Sequence, residues 1–276
     1  MPRRRRWGKL KQMKFFVPAL LALALPVIAA AAPAKPAAAK PSTSKISIDA
    51  RARAVFARAT RLYGAAKGLG VCWKGHDGYR DSISASLDFD RAGRLHLANS
   101  NVLESVIVVD GKNRWSLSAP QKGTKPVYTR VEPEENEVFD EMGRNRELAS
   151  ALGGLLAKST PFDAEQMEMK FELLQLQEFR AVLLAPQPFG GQMCDLVRIS
   201  EISPPTFTRH TLRTGQKTYW FARSDGRLMR VQQRILFGSK EKSTGDWQII
   251  AQTFNPKFAP NTFKFTPPRG AKLETD

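Results

Sequence analysis

Residues 104–115 read ESVIVVDGKNRW, and this stretch decides the fold. The run from Val102 to Val109 is rich in β-branched residues, which favour a strand because their side chains fit a pleated sheet. The run ends in Asp110-Gly111, a dipeptide typical of the tight turn of a β-hairpin, and residues 114–117 begin the returning strand. The stretch therefore predicts an antiparallel hairpin in the middle of the chain.

Other short strands lie on both sides of this hairpin. Residues 83–89 alternate apolar and polar side chains, which is the period of a strand with one buried face. The turns between strands are short, so consecutive strands are expected to pair as antiparallel meanders. The predicted strands cover residues 71–76, 83–89, 95–97, 102–109, 114–117 and 127–131 in a first meander, and residues 194–199, 212–221 with a turn at Gly215, 228–236, 247–254 and 263–265 in a second.

Helical patterns precede the first meander and separate it from the second. Asp49 can cap the first helix, because a side-chain oxygen at this position accepts a hydrogen bond from a free backbone N–H. Gly68 and Gly70 are expected to end that helix. An antiparallel sheet with one apolar face needs a cover, so the pattern predicts an α+β fold. The predicted helices cover residues 50–66, 147–157 and 163–174.

The first 45 residues have the pattern of an export signal followed by a tail. Residues 1–32 combine a basic head, an uncharged apolar core and small residues at its end, which is typical of a signal peptide. The alternatives are a membrane anchor, a start at Met13, and a twin-arginine signal at Arg5-Arg6. Residues 33–45 are rich in Pro, Ala and Lys and are expected to be a disordered tail. Residues 46–276 suit one domain, which we expect to be periplasmic.

Charge and cysteine content limit the partners and the bonds. The formal net charge is +17, but much of it lies before residue 46. The remaining excess fits a solvated basic surface or attraction to anionic lipid headgroups, and without a binding motif we expect no nucleic acid. Cys72 and Cys194 are the only cysteines. They can form a disulfide if their strands are neighbours; two separate buried thiols are the alternative.

The sequence carries no pattern of a catalytic or metal site. A nucleophile needs an adjacent base, and the only histidines are His76, His96 and His210. Cys72 and His76 would lie about 13 Å apart in a strand that rises roughly 3.3 Å per residue, which is too far for proton transfer. The cysteines lack the spacing of metal ligands. We therefore expect no enzyme, no cofactor and no metal.

Three stretches carry a resemblance to a known family. They are ESVIVVDGKNRW at 104–115, LDFDRAGRL at 87–95 and NTFKFTPPRG at 261–270. Each is similar to a motif of the LolA family of periplasmic lipoprotein carriers. The first resembles the family's strand, DGK turn and tryptophan, and the second resembles its R-P-x-x-F turn with the two flanking strands. The third resembles its terminal F-x-F-x-P-P-x-G. Their order and spacing also match, over residues 50–274, and the match is weakest at 132–192.

The resemblance implies an unclosed antiparallel β-barrel, a curved sheet covered by helices around an apolar cavity. In the family, lipoprotein acyl chains bind in this cavity. The arginine of the R-P turn hydrogen-bonds a helical lid in the empty state, and the matching residue here is Arg91. Ala92 stands where the family has proline, so the turn is less rigid.

The expected function is that of a soluble, monomeric periplasmic carrier or binding protein for lipid or lipoprotein acyl chains. Membrane-bound donor and acceptor proteins are candidate partners. The alternative is an envelope-stress sensor or regulatory binding protein of the RseB kind, which has a LolA-like fold. For each apolar site candidate the alternative role is plain core. The predicted ligand-binding residues are Trp73, Ile83, Leu87, Arg91, Leu95, Leu97, Val106, Trp115 and Leu117.

Overall fold

The computed structural model describes residues 45–77, 82–99, 104–118, 125–134, 137–144, 147–173, 175–204 and 213–274. All of them belong to one structural unit, residues 41–276. The predicted signal peptide at 1–32 and residues 33–44 of the predicted tail lie outside the described residues. Lys45, predicted as the last residue of the tail, begins the first strand.

The described residues form thirteen strands and four helices. The strands, in chain order, are β1 (Lys45–Ile48), β2 (Gly68–His76), β3 (Ile83–Asp90), β4 (Arg94–Asn99), β5 (Glu104–Val109), β6 (Arg114–Ser118), β7 (Val127–Val131), β8 (Glu178–Phe189), β9 (Gln192–Ser203), β10 (Arg213–Ala222), β11 (Leu228–Phe237), β12 (Lys240–Phe254) and β13 (Lys272–Leu273). The helices are α1 (Ala50–Ala65), α2 (Glu137–Arg144), α3 (Glu147–Leu156) and α4 (Ala164–Leu173).

All thirteen strands join one sheet in the order β1-β8-β9-β10-β11-β12-β2-β3-β4-β5-β6-β7-β13. Strands β2 to β7 and β8 to β12 are two antiparallel meanders, as predicted, and β12 pairs with β2 to join them. At the margins β1 runs parallel to β8, and β13 runs parallel to β7. The sheet is therefore mostly antiparallel and not wholly so, and within the described residues it is open because β1 and β13 lie at opposite ends.

The predicted hairpin is confirmed at β5 and β6. Val109 pairs with Arg114, and Val108 with Trp115. The Asp110 carboxylate closes the turn, since its Oδ1 accepts hydrogen bonds from the backbone N–H of Lys112 at 2.8 Å and of Asn113 at 2.7 Å. Gly111 has a φ of 89°, a left-handed conformation that glycine adopts without steric cost.

Helix α1 begins where the sequence predicts and ends earlier. The Asp49 side chain accepts a hydrogen bond from the Arg51 N–H at 2.8 Å, which confirms the N-cap. The helix ends at Ala65 with Ala66 in an extended conformation. Gly68 already belongs to β2, so the prediction that Gly68 and Gly70 end the helix was wrong. The extended Ala66 backbone turns the chain directly into the strand.

The sequence misses two strands and one helix. Strand β8 was not predicted, and it contains Pro186 and Pro188, although proline within a run argues against a strand. The structure places a register shift between Leu184 and Gln187, and an irregularity of this kind accommodates proline in a sheet. Strand β1 was also missed: its first residue, Lys45, was assigned to the tail, and residues 46–48 had no predicted structure. Helix α2 occupies part of the acidic segment at 132–141, which had no predicted structure.

Two predicted features at the end of the chain were wrong. Gly215 does not turn: it lies inside β10, paired with Glu201 on one side and Ile235 on the other. Residues 263–265 are not a strand, and the last strand is β13. The reason lies in the side chains, because Phe263 packs edge-on against Phe258 at 4.9 Å between ring centroids and Phe265 stacks on Trp115.

One apolar core joins the four helices to one face of the sheet. Alternate residues of β3 face this core, as the period-two pattern predicts, and Leu87 lies between its cross-strand partners Val71 and Leu97. Helix α1 contributes Phe56, whose ring packs edge-on against Phe221 of β10 at 5.0 Å. Buried residues of α2, α3 and α4 belong to the same cluster, so the helices cover this face of the sheet.

The opposite face carries a smaller aromatic cluster that holds the C-terminal segment. Trp115 stacks on Phe265, with ring centroids 5.2 Å apart and an interplanar angle of 14°. Arg130 lies over the Trp115 ring at 5.3 Å, and the Trp115 indole N–H donates to Asp110 at 3.2 Å. The two quoted motifs therefore meet in space, and Trp115 links the hairpin to the closing segment.

The two cysteines are not bridged. Cys72 is exposed on β2 and Cys194 is buried on β9. The neighbours of β2 are β12 and β3, whereas those of β9 are β8 and β10. A disulfide needs Cα atoms within about 7 Å, so the alternative of two separate thiols holds, with only one of them buried.

Candidate functional site

The nine predicted ligand-binding residues do not form one surface. Five of them share the helix-covered face and are at most 3% exposed: Trp73, Ile83, Leu87, Leu95 and Leu97. The cross-strand pairs place Val106 opposite Leu117, and Val108 opposite Trp115, on the other face. Arg91 lies in the turn between β3 and β4. A ligand role for each apolar candidate stays a prediction, and the structure separates them into two groups.

Arg91 connects two helices through their backbone carbonyls. Its Nε donates to Ala66 O at 3.0 Å, and one terminal nitrogen donates to Tyr63 O at 3.3 Å and Gly64 O at 3.1 Å, all at the end of α1. The same nitrogen donates to Leu156 O at 2.8 Å, in the last residue of α3. A cation is favourable at a helix C-terminus, so Arg91 stabilises both ends and ties α3 to α1.

Arg91 also borders a cavity next to α2, which we call the turn cavity. Its volume is about 430 Å³. Apolar side chains form one wall, and the β3–β4 turn and the acidic start of α2 form the other. Its lining residues are Phe89, Asp90, Arg91, Ala92, Gly93, Val109, Gly111, Pro133, Glu134, Glu137, Val138 and Phe139.

A second cavity of about 380 Å³ lies between α3 and strand β10, and we call it the α3–β10 cleft. Here the helices stand off from the sheet. Its volume falls in the range of small-molecule sites, roughly 300–1,000 Å³. Its lining residues are Phe56, Phe139, Ser150, Ala151, Gly153, Gly154, Leu155, Ala157, Ser159, Thr160, Pro161, Lys170, Lys217 and Tyr219.

Two hydroxyl groups on the rim of this cleft are already bonded. Ser159 Oγ donates to Asp163 at 3.0 Å, and Thr160 Oγ1 donates to the same carboxylate at 2.7 Å. Burial opposes ionisation of Asp163, but the hydrogen bonds from Thr160 and Ser159 outweigh it and lower the pKa of this carboxyl. The rim is therefore fixed by Asp163, and the interior between Phe56, Leu155 and Tyr219 stays apolar.

A third cavity of about 330 Å³ continues the cleft along β10. The two cavities share four lining residues, Pro161, Lys170, Lys217 and Tyr219. We call their union the groove. At the far end it is lined by Arg213, Gly215 and Glu201. The groove thus runs from aromatic and aliphatic side chains under α3 to charged side chains near the start of β10.

Helix α2 is held to the sheet by an arginine between two acids. Arg114 Nε lies 2.8 Å from Glu141 Oε1 and 3.3 Å from Glu137 Oε1. Both carboxylates are buried, with Glu137 6% and Glu141 1% exposed. Burial raises the pKa of Glu137, and Glu141 raises it further against the opposing effects of the Glu134 N–H and Arg114. The docking of α2 therefore includes a carboxyl whose charge is disfavoured.

The groove combines apolar side chains with polar and cationic ones. Within the described residues, no group of three or more His, Cys, Asp and Glu side chains could hold a metal ion. Among the same residues, none of the helices has the length and apolar character needed to cross a membrane. What the groove offers is an apolar wall, a bonded polar rim and three cationic side chains.

Sequence analysis missed most of the groove. Of the nine predicted residues, Arg91 lines the turn cavity, and the other eight line neither that cavity nor the groove. The turn predicted at Gly215 interrupted the strand pattern, so Lys217 and Tyr219 were not recognised as residues on one face of a strand. Without that turn, Lys217, Tyr219 and Phe221 alternate within one strand and face the helices together. Lys170 gave no signal, since a lone lysine on a short helix is ordinary.

Comparisons with known proteins give likenesses between structures. No protein-family model matches the sequence, and no curated protein matches it. Among solved structures, MucB has 9% identity and a TM-score of 0.39, with 79% of this chain covered. MucB in complex with MucA(peri) has 10% identity and a TM-score of 0.34 over 79% of this chain and 66% of that one. A LolA superfamily protein from Nitrosomonas europaea has 9% identity and a TM-score of 0.28 over 78% of this chain and 97% of its own.

The last of these belongs to the superfamily that the sequence motifs resemble. The chain spans 64% of the length of MucB. With identities near 10% and TM-scores below 0.4, these likenesses say nothing of a ligand, and function has to be derived from the groove itself.

Proposed function

We propose that this protein is an exported binding protein that takes an acyl chain of a lipid or lipoprotein into the α3–β10 cleft. The observation that carries the proposal is the cleft itself, in which helix α3 stands off from an apolar part of β10. Each methylene removed from water contributes about 0.8 kcal/mol, so a chain needs no polar partner in order to bind there. The resemblance to LolA-like carriers and the signal-like residues 1–32 support export to the periplasm.

Release requires that α3 move, and Arg91 is the contact that resists this movement. Three of its four hydrogen bonds go to the end of α1 and one goes to α3. Separation of α3 breaks only the hydrogen bond to Leu156, so Arg91 keeps its three hydrogen bonds to the end of α1. A hydrogen bond from a charged group contributes about 1.5–3 kcal/mol, and less where the side chain is exposed. Arg91 is exposed, so the restraint is weak enough for α3 to open.

The binding site can be blocked by one substitution with a close control. A Cβ added at Gly154 would lie 3.7 Å from Ser159 O, an ordinary contact. Gly154→Ala therefore fits and, as a helical glycine, gains up to about 1 kcal/mol of stability. Gly154→Phe adds a ring at the wall of the cleft. We expect Gly154→Phe to abolish uptake of a fluorescent fatty acid and Gly154→Ala to leave uptake unchanged.

The natural ligand is sought by mass spectrometry of organic extracts of protein purified from its native envelope. Lipid or lipoprotein acyl chains in the extract of the Gly154→Ala protein, and their loss from that of Gly154→Phe, support the proposal. Lipid-free protein that also takes up no fluorescent fatty acid overturns it. Copurification of a membrane-bound protein without any extracted acyl chain would instead favour the regulatory alternative.

A further inference from the structure

Four cations surround the C-terminal end of α1. Arg91 donates to Gly64 O at 3.1 Å, and the Arg91 backbone N–H donates to Lys67 O at 3.0 Å. The stem of Lys158 lies against the same glycine, since a Cβ added at Gly64 would come 2.7 Å from Lys158 Cγ. Arg61 precedes Gly64 by three residues, so the two are neighbours on the helix surface. We call this cluster the basic corner: Arg61, Lys67, Arg91 and Lys158.

Acidic side chains do not balance the charge of the basic corner. Its four residues are exposed, and among the described residues none of the four takes part in an ion pair. Helix α1 carries four arginines and no acidic residue. The carbonyl ends of α1 and α3 attract cations, but each end is equivalent to only about half a negative charge. The corner is therefore a strongly positive part of the surface.

The basic corner adjoins the rim of the α3–β10 cleft. Ala157 and Ser159 line the cleft, and Lys158 stands between them in the chain. Ala157 is exposed, so the cleft reaches solvent at this point. The Lys158 side chain is not part of the lining and lies against α1. A surface that binds the basic corner therefore also meets the rim of the cleft.

The spacing of the four cations suits an extended anionic surface. They are spread over the exposed ends of α1 and α3 and the β3–β4 turn, whereas a single small anion needs donors that converge on one point. Each Lys or Arg near an anionic membrane contributes about 1 kcal/mol, and the charge of a leaflet reaches all of them together. A bilayer is also where acyl chains are found, so it brings the ligand and the opposite charge to the same place.

We propose that the basic corner docks on the headgroups of an anionic lipid bilayer and holds the rim of the cleft at residues 157–159 against the membrane. This inference rests on the proposed function, because it takes the acyl chain of the cleft to enter from the bilayer or to return to it. It adds the surface through which the protein meets the membrane.

The test measures cosedimentation of the protein, without added ligand, with phosphatidylcholine vesicles that contain or lack about one-third phosphatidylglycerol. The corner variant is Arg61→Gln/Lys158→Gln, which removes two charges and leaves Arg91 and the cleft lining unchanged. Glutamine retains Cγ, the Lys158 atom nearest Gly64, so the contact with α1 is kept.

The matched control is Lys240→Gln/Lys242→Gln, which has the same net charge as the corner variant. Both lysines are exposed at the start of β12. The other end of this strand, Phe254, pairs with Leu69, two residues after Lys67. At about 3.3 Å per residue the two ends are roughly 45 Å apart, so the control removes charge far from the basic corner.

We expect the wild type to bind the vesicles that contain phosphatidylglycerol and not those of phosphatidylcholine alone. The corner variant should bind about 25-fold more weakly, because each lost cation contributes about 1 kcal/mol, or five-fold. The control should change binding by less than about two-fold, since its charges lie beyond the Debye length of roughly 10 Å at 0.1 M salt. Thermal midpoints and fatty-acid uptake of both variants should match the wild type.

A fluorophore that is sensitive to its environment reports which end of the molecule meets the vesicle. It is attached to one introduced cysteine in Cys72→Ser protein, in which the remaining Cys194 is buried. Ala65→Cys places it on the exposed last residue of α1, and Lys240→Cys places it at the start of β12. Anionic vesicles should shift the emission of the first protein to the blue and leave that of the second unchanged.

Three results would overturn the inference. They are equal losses of vesicle binding in the corner variant and the control, a blue shift only at Lys240→Cys, and displacement from vesicles by soluble polyglutamate at equal charge, which would assign the corner to an acidic protein. If fatty-acid uptake is normal in these cases, the proposed function stands. A wild type that docks through the corner and takes up no fatty acid overturns the proposed function and leaves the docking surface.

Discussion

The inner faces of the two meanders are filled in different ways. On β3, β4 and β5 the residues toward the helices are aliphatic or aromatic, and Leu87, Leu95 and Leu97 are fully buried. On β10 the same face carries Lys217 and Tyr219, which are only partly buried, and the helices stand off. The first meander is closely packed around these leucines, and the second borders the groove. A regular apolar alternation thus marks where the sheet is packed, and its interruption marks where space is left.

This difference separates the predicted ligand-binding residues from the groove. The ligand-binding residues predicted from the sequence all lie on the first meander. Five of these residues, Trp73, Ile83, Leu87, Leu95 and Leu97, are buried and line neither the groove nor the turn cavity, and their ligand role stays a prediction. The residues that border empty space are a mixture of aromatic, small and cationic side chains. Site and core therefore lie on the same face of one sheet but on different strands.

The largest expected effect tests whether the first meander is solid. Leu97→Ala removes a fully buried side chain and should lower the free energy of unfolding by about 2–5 kcal/mol. Tyr219→Leu, at the cleft, should cost less than half of that, because part of the ring faces open space. Urea denaturation at neutral pH measures both. Equal losses would mean that the two regions are packed alike.

The next effect concerns the tie between α1 and α3. Arg91→Leu removes four hydrogen bonds and should lower the free energy of unfolding by about 1–2 kcal/mol, while the release rate of a bound acyl probe rises several-fold. The control is Arg94→Leu, because Arg94 bonds to Asp90 in the same turn at 2.9 Å and lies over Phe263 at 4.7 Å. Stopped-flow release separates the two. If Arg91→Leu lowers stability with unchanged release, Arg91 is only structural.

The smallest effect depends on pH. The folded-state pKa of Glu137 is raised above its ordinary value of 4.5. The stability that protonated Glu137 contributes is therefore complete below the unfolded-state pKa, and it is lost as the pH rises through the folded-state pKa. Glu137→Gln should therefore raise the free energy of unfolding at pH 8 and change it little at pH 4.

Urea titrations at the two pH values check this prediction, with Glu134→Gln as the exposed control on the same segment. A Glu137→Gln protein that is less stable than the wild type at pH 8 would show that the Arg114 ion pair outweighs the cost of burying Glu137. The ion pair with Arg114 would then be what holds helix α2 to the sheet.

Much of the sheet could be predicted because its signals are local. The Asp110-Gly111 turn and the alternation in β3 each depend on residues adjacent in sequence, and both are confirmed. Strand β8 could not be found, because a bulge that tolerates Pro186 and Pro188 is set by its partner strand. Gly215 was misread since glycine marks turns in general, although here it has an extended partner on each side.

The groove was harder to predict than the sheet. It depends on where α3 and the loop before α4 come to lie over β10, and these elements are far apart in sequence. No local pattern indicates that Lys170 and Lys217 will line the same space. Arg91 was the exception, because the turn motif identified this residue from the sequence. In the structure its guanidinium donates a hydrogen bond to the end of α3.

Short strands from distant parts of the chain pair with both ends of the sheet: Lys45–Ile48 pairs with β8, and Lys272–Leu273 pairs with β7. An exposed edge strand offers unpaired backbone N–H and C=O groups to other molecules and can start aggregation. Loss of Lys272 and Leu273 would therefore leave the backbone groups along Val127 and Tyr128 of β7 without a partner strand.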